Sequence, residues 1–178
     1  MEVWDLYKED RTLSGKTHVR GEELPNELYH LVIHVWIRNS KGEFVVAQRS
    51  GKLLRSPMLW ECVGGSVLKG ESSVDGAVRE VEEELGIRLR PEFGKLVFSQ
   101  VRKTVDGEKY NDILDVWLFE YDGEIPLEEA TTNEVAYAAW MNLEQIKRLQ
   151  EHQCFMKNMD YFFERADEFR EKKKHCMQ

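Results

Sequence analysis

Apolar and polar positions change period several times along the chain, and each change marks an element. From Tyr29 to Ile37 (Tyr-His-Leu-Val-Ile-His-Val-Trp-Ile) β-branched and aromatic residues run almost without interruption, which predicts a central strand. Asn39-Ser-Lys-Gly42 is a turn signal and Glu43-Phe-Val-Val-Ala-Gln-Arg49 continues as a strand, so the pair predicts a hairpin ending at Arg49. The period then lengthens. Val74, Val78, Val81 and Leu85 recur at helical intervals, with Ser72 or Ser73 suited to cap the start and Gly86 the exit. Strand patterning returns over Lys95 to Val105 and Glu108 to Tyr121, on either side of the hairpin dipeptide Asp106-Gly107. Glu134 to Met141 predicts a short strand, and Asn142 with Gln145 a capping box that opens a helix through about Gln150. Met156, Met159, Phe162, Phe163, Ala166 and Phe169 predict a last helix from about Phe155 to Lys173 with an apolar packing face. At the other end, Val3 to Tyr7 reads as an edge strand and Arg11 to Gly21 as a polar, turn-rich connection.

This order predicts an α+β domain in layers, a mixed β-sheet flanked by helices, spanning residues 1–178 without repeat or linker. A length of 178 residues, 42% hydrophobic and 33% charged, suits one domain with a full core. No apolar run approaches the roughly 18 residues of a membrane span, and Met1-Glu-Val-Trp-Asp does not open a signal peptide, so a cytoplasmic location is expected and no membrane partner. Cys62, Cys154 and Cys176 are too dispersed for a disulfide framework or a zinc motif and read as free thiols. The formal charge of −8 argues against binding duplex nucleic acid, yet leaves a small phosphorylated substrate open, because bound metal ions would reverse the local sign.

The chemistry concentrates in the first helix. Glu80, Glu83 and Glu84, spaced i, i+3 and i+4, share one face, and three crowded anions become useful when a hard divalent cation such as Mg2+ or Mn2+ binds them. Ahead of them stands Gly65-Ser-Val-Leu-Lys-Gly70-Glu71, and the helix continues Arg79-Glu80-Val81-Glu82-Glu83-Glu84-Leu85-Gly86-Ile87. The whole pattern from Gly65 to Ile87 resembles the signature box of the Nudix hydrolase (MutT-like) family at every defined position. That resemblance implies an α/β/α sandwich and metal-assisted attack of water on a diphosphate linkage in a nucleoside diphosphate derivative or related small metabolite. It also implies Glu80 and Glu84 as metal ligands, Glu83 as third ligand or general base, and the Gly65 carbonyl as a further ligand. Arg79 would orient the glutamates, with Glu71 its partner. Family members place the base either in the box or on a later loop, and Glu134, six residues before Trp140, matches the later position, with Glu128 and Glu129 as alternatives. Arg49, Lys52 and Arg55 are candidates for phosphate oxygens. Trp60 and Trp117 are candidates to stack on a base, against the alternative of core packing.

A second resemblance, carried by Trp4-Asp-Leu-Tyr, Gly15-Lys-Thr-His-Val-Arg-Gly-Glu22 and Tyr29 to Trp36, is to the isopentenyl-diphosphate isomerase-like branch of the superfamily. Isomerisation would need a cysteine just before the box glycine and a histidine just after it, where this chain has Gly64 and Ser66. Cys62 lies two residues early, and His30 and His34 read as hydrogen-bonded core histidines. A non-catalytic nucleotide-binding module is the third reading, opposed by the intact glutamates. Phe162, Phe163 and Phe169 on the last helix raise the expectation of a homodimer.

Overall fold

The computed structural model describes residues 2–105 and 108–170. In chain order these form β1 (Val3–Tyr7), β2 (Leu13–Val19), β3 (Tyr29–Arg38), β4 (Phe44–Arg49), β5 (Trp60–Glu61), β6 (Val63–Ser66), α1 (Ser73–Leu85), β7 (Lys95–Val105), β8 (Glu108–Glu120), β9 (Val135–Met141), α2 (Leu143–Glu151), α3 (Tyr161–Glu164) and α4 (Ala166–Arg170). β3 is central. It runs parallel to β8 from His30 opposite Asp112 to Arg38 opposite Glu120, and its other edge is shared antiparallel by β1, β6 and β4 in turn. β7 extends the sheet beyond β8, β2 beyond β1, and β4 carries both β5 and β9.

The near-continuous apolar run of β3 is explained by burial on both faces. Its odd positions, Tyr29 to Ile37, pack with Val45, Ala47 and Val63 against Ala77, Val81 and Leu85 of α1. On the opposite face Trp36 packs with Phe44, Val46, Cys62 and Leu114 under Ile146 of α2 and the C-terminal segment. The result is the expected mixed sheet between helical layers. Burying Val81 and Leu85 stabilises α1 by about 1.5–3 kcal/mol each. The ends of α1 are those foreseen: Ser72 Oγ accepts the Asp75 N–H at 3.2 Å, and Gly86 exits with φ 70°. A Cβ at Gly86 would lie 2.4 Å from the Pro126 carbonyl oxygen, so the same glycine lets the 126–134 loop press onto the helix end.

Three expectations change. Leu13–Val19 is a strand instead of a connection, pairing Thr17, His18 and Val19 with Asp5, Trp4 and Val3, so β1 is interior and β2 the edge. An edge strand keeps most side chains in water, which gave this stretch the polarity of a loop. The last helix is broken: a 3-10 turn at Lys157–Met159 precedes α3, and Arg165 (φ −112°) separates α3 from α4. Short turns let Phe162 stack on Trp36 (3.7 Å between ring centroids) while Phe169 meets the same ring edge-on at 5.9 Å, which a straight helix over a twisted sheet would not allow. Phe162 and Phe169 are therefore consumed inside the chain and no longer argue for a dimer. The turn expected at Asp106-Gly107, Cys176 and the helix end expected beyond Arg170 lie outside the described residues. The capping box at Asn142 and Gln145 is present with both of its hydrogen bonds.

One polar pair sits deep in this scaffold. Arg102 of β7 donates Nε and Nη2 to the two carboxylate oxygens of Asp112 of β8, each at 2.7 Å, and the side chains are 4% and 3% exposed. Removing one partner strands a buried charge, so Asp112→Ala is expected to cost about 3–5 kcal/mol in urea unfolding, and Asp112→Asn clearly less.

Candidate active site

Alternation along β5 and β6 decides which side chains meet α1. Glu61, Val63 and Gly65 pair with Ala47, Val35 and Ile33, which all face α1, whereas Trp60 and Gly64 pair with Gln48 and His34 on the opposite face. The Glu80 carboxylate lies directly on Gly65: a Cβ built there would be 2.2 Å from its Cδ and Oε1 and 2.7 Å from Oε2. The backbone of β6 and the acids of α1 thus touch only because residue 65 has no side chain.

Arg79 knits this corner together. Its Nε and Nη2 donate to Glu71 at 2.8 and 3.1 Å, Nη1 donates to Glu80 and Glu83 at 2.9 and 3.0 Å, and Nη2 also reaches the Ser66 carbonyl at 2.9 Å. Burial works against its charge, but Glu71 and Glu80 more than offset this and raise its pKa. The expected partnership of Arg79 with Glu71 is thus seen in the geometry.

The acids share a strained electrostatic environment. Burial pushes Glu80 up to about pKa 7 against the opposing pull of Arg79, with Glu83 and Glu2 adding to the rise. Glu84 is 7% exposed, and burial raises its pKa well above the usual carboxylate range, reinforced by Glu80, Glu61 and Glu134 and countered by Arg49. Burial likewise raises the pKa of Glu61, opposed by Arg49, whose Nη1 donates to it at 2.6 Å. Glu134 belongs to this field for a structural reason: the Glu83 carbonyl accepts the N–H groups of Thr131 and Thr132 at 2.9 and 3.1 Å and docks the loop leading into β9. Glu129 instead lies beside Gly86 at the helix end.

The structure therefore brings together Gly65, Arg79, Glu80, Glu83, Glu84 and Glu134, and adds Glu61. Sequence reasoning missed Glu61, although its period-two spacing from Gly65 was a usable signal. Arg49 is at the site but committed to Glu61 and the Arg55 carbonyl; Arg55 itself is exposed. Trp60 points away from the acids, against Tyr137 (ring centroids 5.9 Å apart), because it sits on the other pleat of β5. Trp117 is half-buried in the core beside α1, with Nε1 donating to Ser73 Oγ at 2.9 Å. Among the described residues no three His, Cys, Asp or Glu side chains converge to grip one ion in this arrangement, where Arg79 occupies Glu80 and Glu83. The donor set nevertheless fits a hard divalent cation: several mutually repelling, partly desolvated carboxylates against a glycine backbone, for which Glu80, Glu83 and Glu84 would supply oxygens.

On the opposite face both histidines are core residues, but only His34 is hydrogen-bonded as expected; among the described residues His30 Nδ1 is buried without a hydrogen-bond partner. His34 Nδ1 is 2.8 Å from Tyr161 Oη, and burial holds His34 at a pKa of about 3 and His30, stacked on Trp4, at about 4, so both are neutral at physiological pH. Cys62 is fully buried, and burial raises its thiol pKa.

The family model for the NUDIX domain matches residues 28–163. An uncharacterized Nudix hydrolase of Listeria monocytogenes is 39% identical over 165 residues, covering 92% of this chain and 91% of its own. Among solved structures, DR0079 from Deinococcus radiodurans superposes with a TM-score of 0.72 at 20% identity, covering 92% of this chain and 98% of that one. The NUDIX domain of Shewanella oneidensis NrtR, solved in complex with ADP ribose, superposes at 0.60 with 14% identity, covering 79% and 87%. No helix among the described residues is long and apolar enough to cross a membrane. The match over most of the chain, and over nearly all of a relative, shows that it belongs to the Nudix hydrolase family, whose members act on pyrophosphate bonds.

Proposed function

We propose that this protein is a Mg2+- or Mn2+-dependent hydrolase that cleaves the diphosphate linkage of a nucleoside diphosphate derivative or a related small phosphorylated metabolite. The single observation carrying this reading is the seating of Glu80 on Gly65, on a helix face it shares with Glu83 and Glu84 and beside Arg79, which bridges Glu80 and Glu83. A bound divalent ion would neutralise phosphate oxygens and make water a better nucleophile near neutral pH. Within the chain, Glu80 and Glu84 would hold the ion, the bare backbone of Gly65 would leave it access, and Arg79 orients Glu80 and Glu83. Glu83 is engaged by Arg79, whereas Glu134 is exposed beside Glu84, which favours Glu134 as acceptor of the water proton. The whole of residues 1–178 acts as one domain in this reading, as a soluble cytoplasmic enzyme.

The ADP ribose held by the Shewanella domain makes ADP-ribose the first substrate to try. Isomerase chemistry finds little support: a Cβ at Gly64 would meet His34 Cδ2 at 3.1 Å and the Ile33 carbonyl at 3.2 Å, so this backbone has little room for a reactive side chain at that position. The protein, incubated with Mg2+ or Mn2+ and a panel of ADP-ribose, dinucleoside polyphosphates, NADH, nucleotide sugars, nucleoside triphosphates and isopentenyl diphosphate, is expected to release phosphorus-containing products. Phosphorus NMR identifies the bond cut. Conversion of isopentenyl diphosphate alone, or no metal-dependent turnover across the panel, overturns the proposal.

A further inference from the structure

The loop 50–58 between β4 and β5 is tied back by the last two residues of β4, Gln48, whose Nε2 donates to the Met58 carbonyl at 3.1 Å, and Arg49. Arg49 donates Nη1 to Glu61 at 2.6 Å and Nη2 to the Arg55 carbonyl at 3.2 Å, while its own backbone N–H reaches the Leu59 carbonyl and its carbonyl accepts the Met58 N–H at 2.9 and 3.1 Å. At the loop's root the Ser50 N–H donates to the Glu134 carbonyl at 2.6 Å. The loop backbone is not one its residues adopt freely. Ser56 and Met58, on either side of Pro57, have φ of 47° and 65°, a region that side chains with a Cβ occupy only where surrounding contacts impose it. Outward, the loop displays a fully exposed Leu54, with Lys52 and Arg55, neither of which has an ion-pair partner among the described residues.

The carboxylate that grips Arg49 belongs to the acid cluster, since Glu61 shares the α1-facing side of the sheet with Gly65. We propose that the Arg49–Glu61 pair is a positioning device joining the acid cluster to loop 50–58. The loop so placed engages the substrate beyond the cleaved bond, with Lys52 and Arg55 on its distal phosphate and Leu54 on an apolar or planar group. The substrate half of this inference rests on the hydrolase reading. Arg49 is turned toward the protein by these two bonds, although its Nε is buried without a hydrogen-bond partner among the described residues.

Lysine keeps the charge of Arg49 but not the fork that spans two acceptors, and glutamine keeps the shape of Glu61 without its charge. Arg49→Lys, Glu61→Gln and the double variant are therefore compared by hydrogen exchange of segments 50–59 and 74–85, by Mn2+ affinity from electron paramagnetic resonance, and by steady-state kinetics. Each single variant is expected to speed exchange in 50–59 about tenfold with 74–85 unchanged. In Arg49→Lys, KM should rise about tenfold with kcat within about threefold and Mn2+ affinity should change less than about threefold, whereas Glu61→Gln is read by exchange and Mn2+ affinity alone. The double variant should be no worse than either single one, as for two residues acting as a unit. Unchanged exchange in 50–59, or additive effects in the double variant, overturns the positioning role. A loss of Mn2+ affinity beyond about tenfold in Glu61→Gln makes Glu61 a metal ligand, and a fall in kcat at constant KM in Arg49→Lys puts Arg49 at the reacting phosphate; either result overturns the proposal. Exchange needs no turnover, so a wild-type protein inactive on every substrate would sink the hydrolase reading and the loop's substrate contacts while the exchange data still decide the Arg49–Glu61 linkage.

Discussion

Glu84→Gln is expected to lower turnover roughly 1,000-fold and at the same time to make the metal-free protein more heat-stable at pH 8, by on the order of 2–6 °C. The two effects have opposite signs because they have one cause. Glu84 is buried beside Glu80, Glu61 and Glu134, and its negative charge disfavours folding until a cation offsets it. Glutamine removes the repulsion and the ligand together. Glu80 gives the same argument a pH dependence. Its folded pKa of about 7 lies above the unfolded value of 4.5, so the folded state binds its proton more tightly. The associated stability is full below pH 4.5 and is lost as pH rises through 7, a total of about 3 kcal/mol for this group. Thermal melts of the wild type in chelator should therefore fall between pH 5 and pH 8. Saturating Mg2+ or Mn2+ should restore more stability at pH 8 than at pH 5.5, because the ion competes with the proton. A Glu84→Gln protein that is less stable than wild type in chelator, or a metal-induced rise in Tm independent of pH, would sink this account.

Gly65→Ala should lower turnover at least about 100-fold while leaving the fold standing. A methyl group at this position would sit 2.2 Å from the Glu80 carboxyl carbon, closer than any real contact. The atoms in its way are the far end of a flexible side chain, so the collision can be relieved by swinging Glu80 aside instead of deforming β6. That relief removes Glu80 from Gly65 and disturbs its hydrogen bond to Arg79. Circular dichroism and a Tm within about 5 °C of wild type, together with weakened Mn2+ binding, would separate displacement of a ligand from misfolding. Retained activity would mean that Glu80 does not work from the place where it is seen.

These expectations also show what the chain disclosed before its structure. The helix of the glutamates, its caps and the buried strand β3 were legible because local periodicity, capping and burial all point the same way there. β2 was not, because a polar edge strand and a loop share a composition, and only the pairing with β1 distinguishes them. The breaks at Lys157–Met159 and Arg165 escaped notice because aromatic spacing alone does not tell one long helix from several turns that each seat a ring. Within the site, the acids of one helix face could be read from spacing, whereas Glu61 and the true commitment of Arg49 depend on strand register. Which way Trp60 faces depends on register in the same manner, since a one-residue step along a strand exchanges the two faces of the sheet.

The carbonyl oxygen of Glu83 receives Thr131 and Thr132 from a segment nearly fifty positions downstream. That one oxygen sets the zero point from which Glu134 is counted. Chain length can then drift between Tyr121 and Pro126 without moving the late acid, whereas a single residue inserted between Thr132 and Glu134 would carry it out of register with the helix. Residues added to the first stretch are therefore expected to spare activity, whereas one added to the second is expected to abolish it.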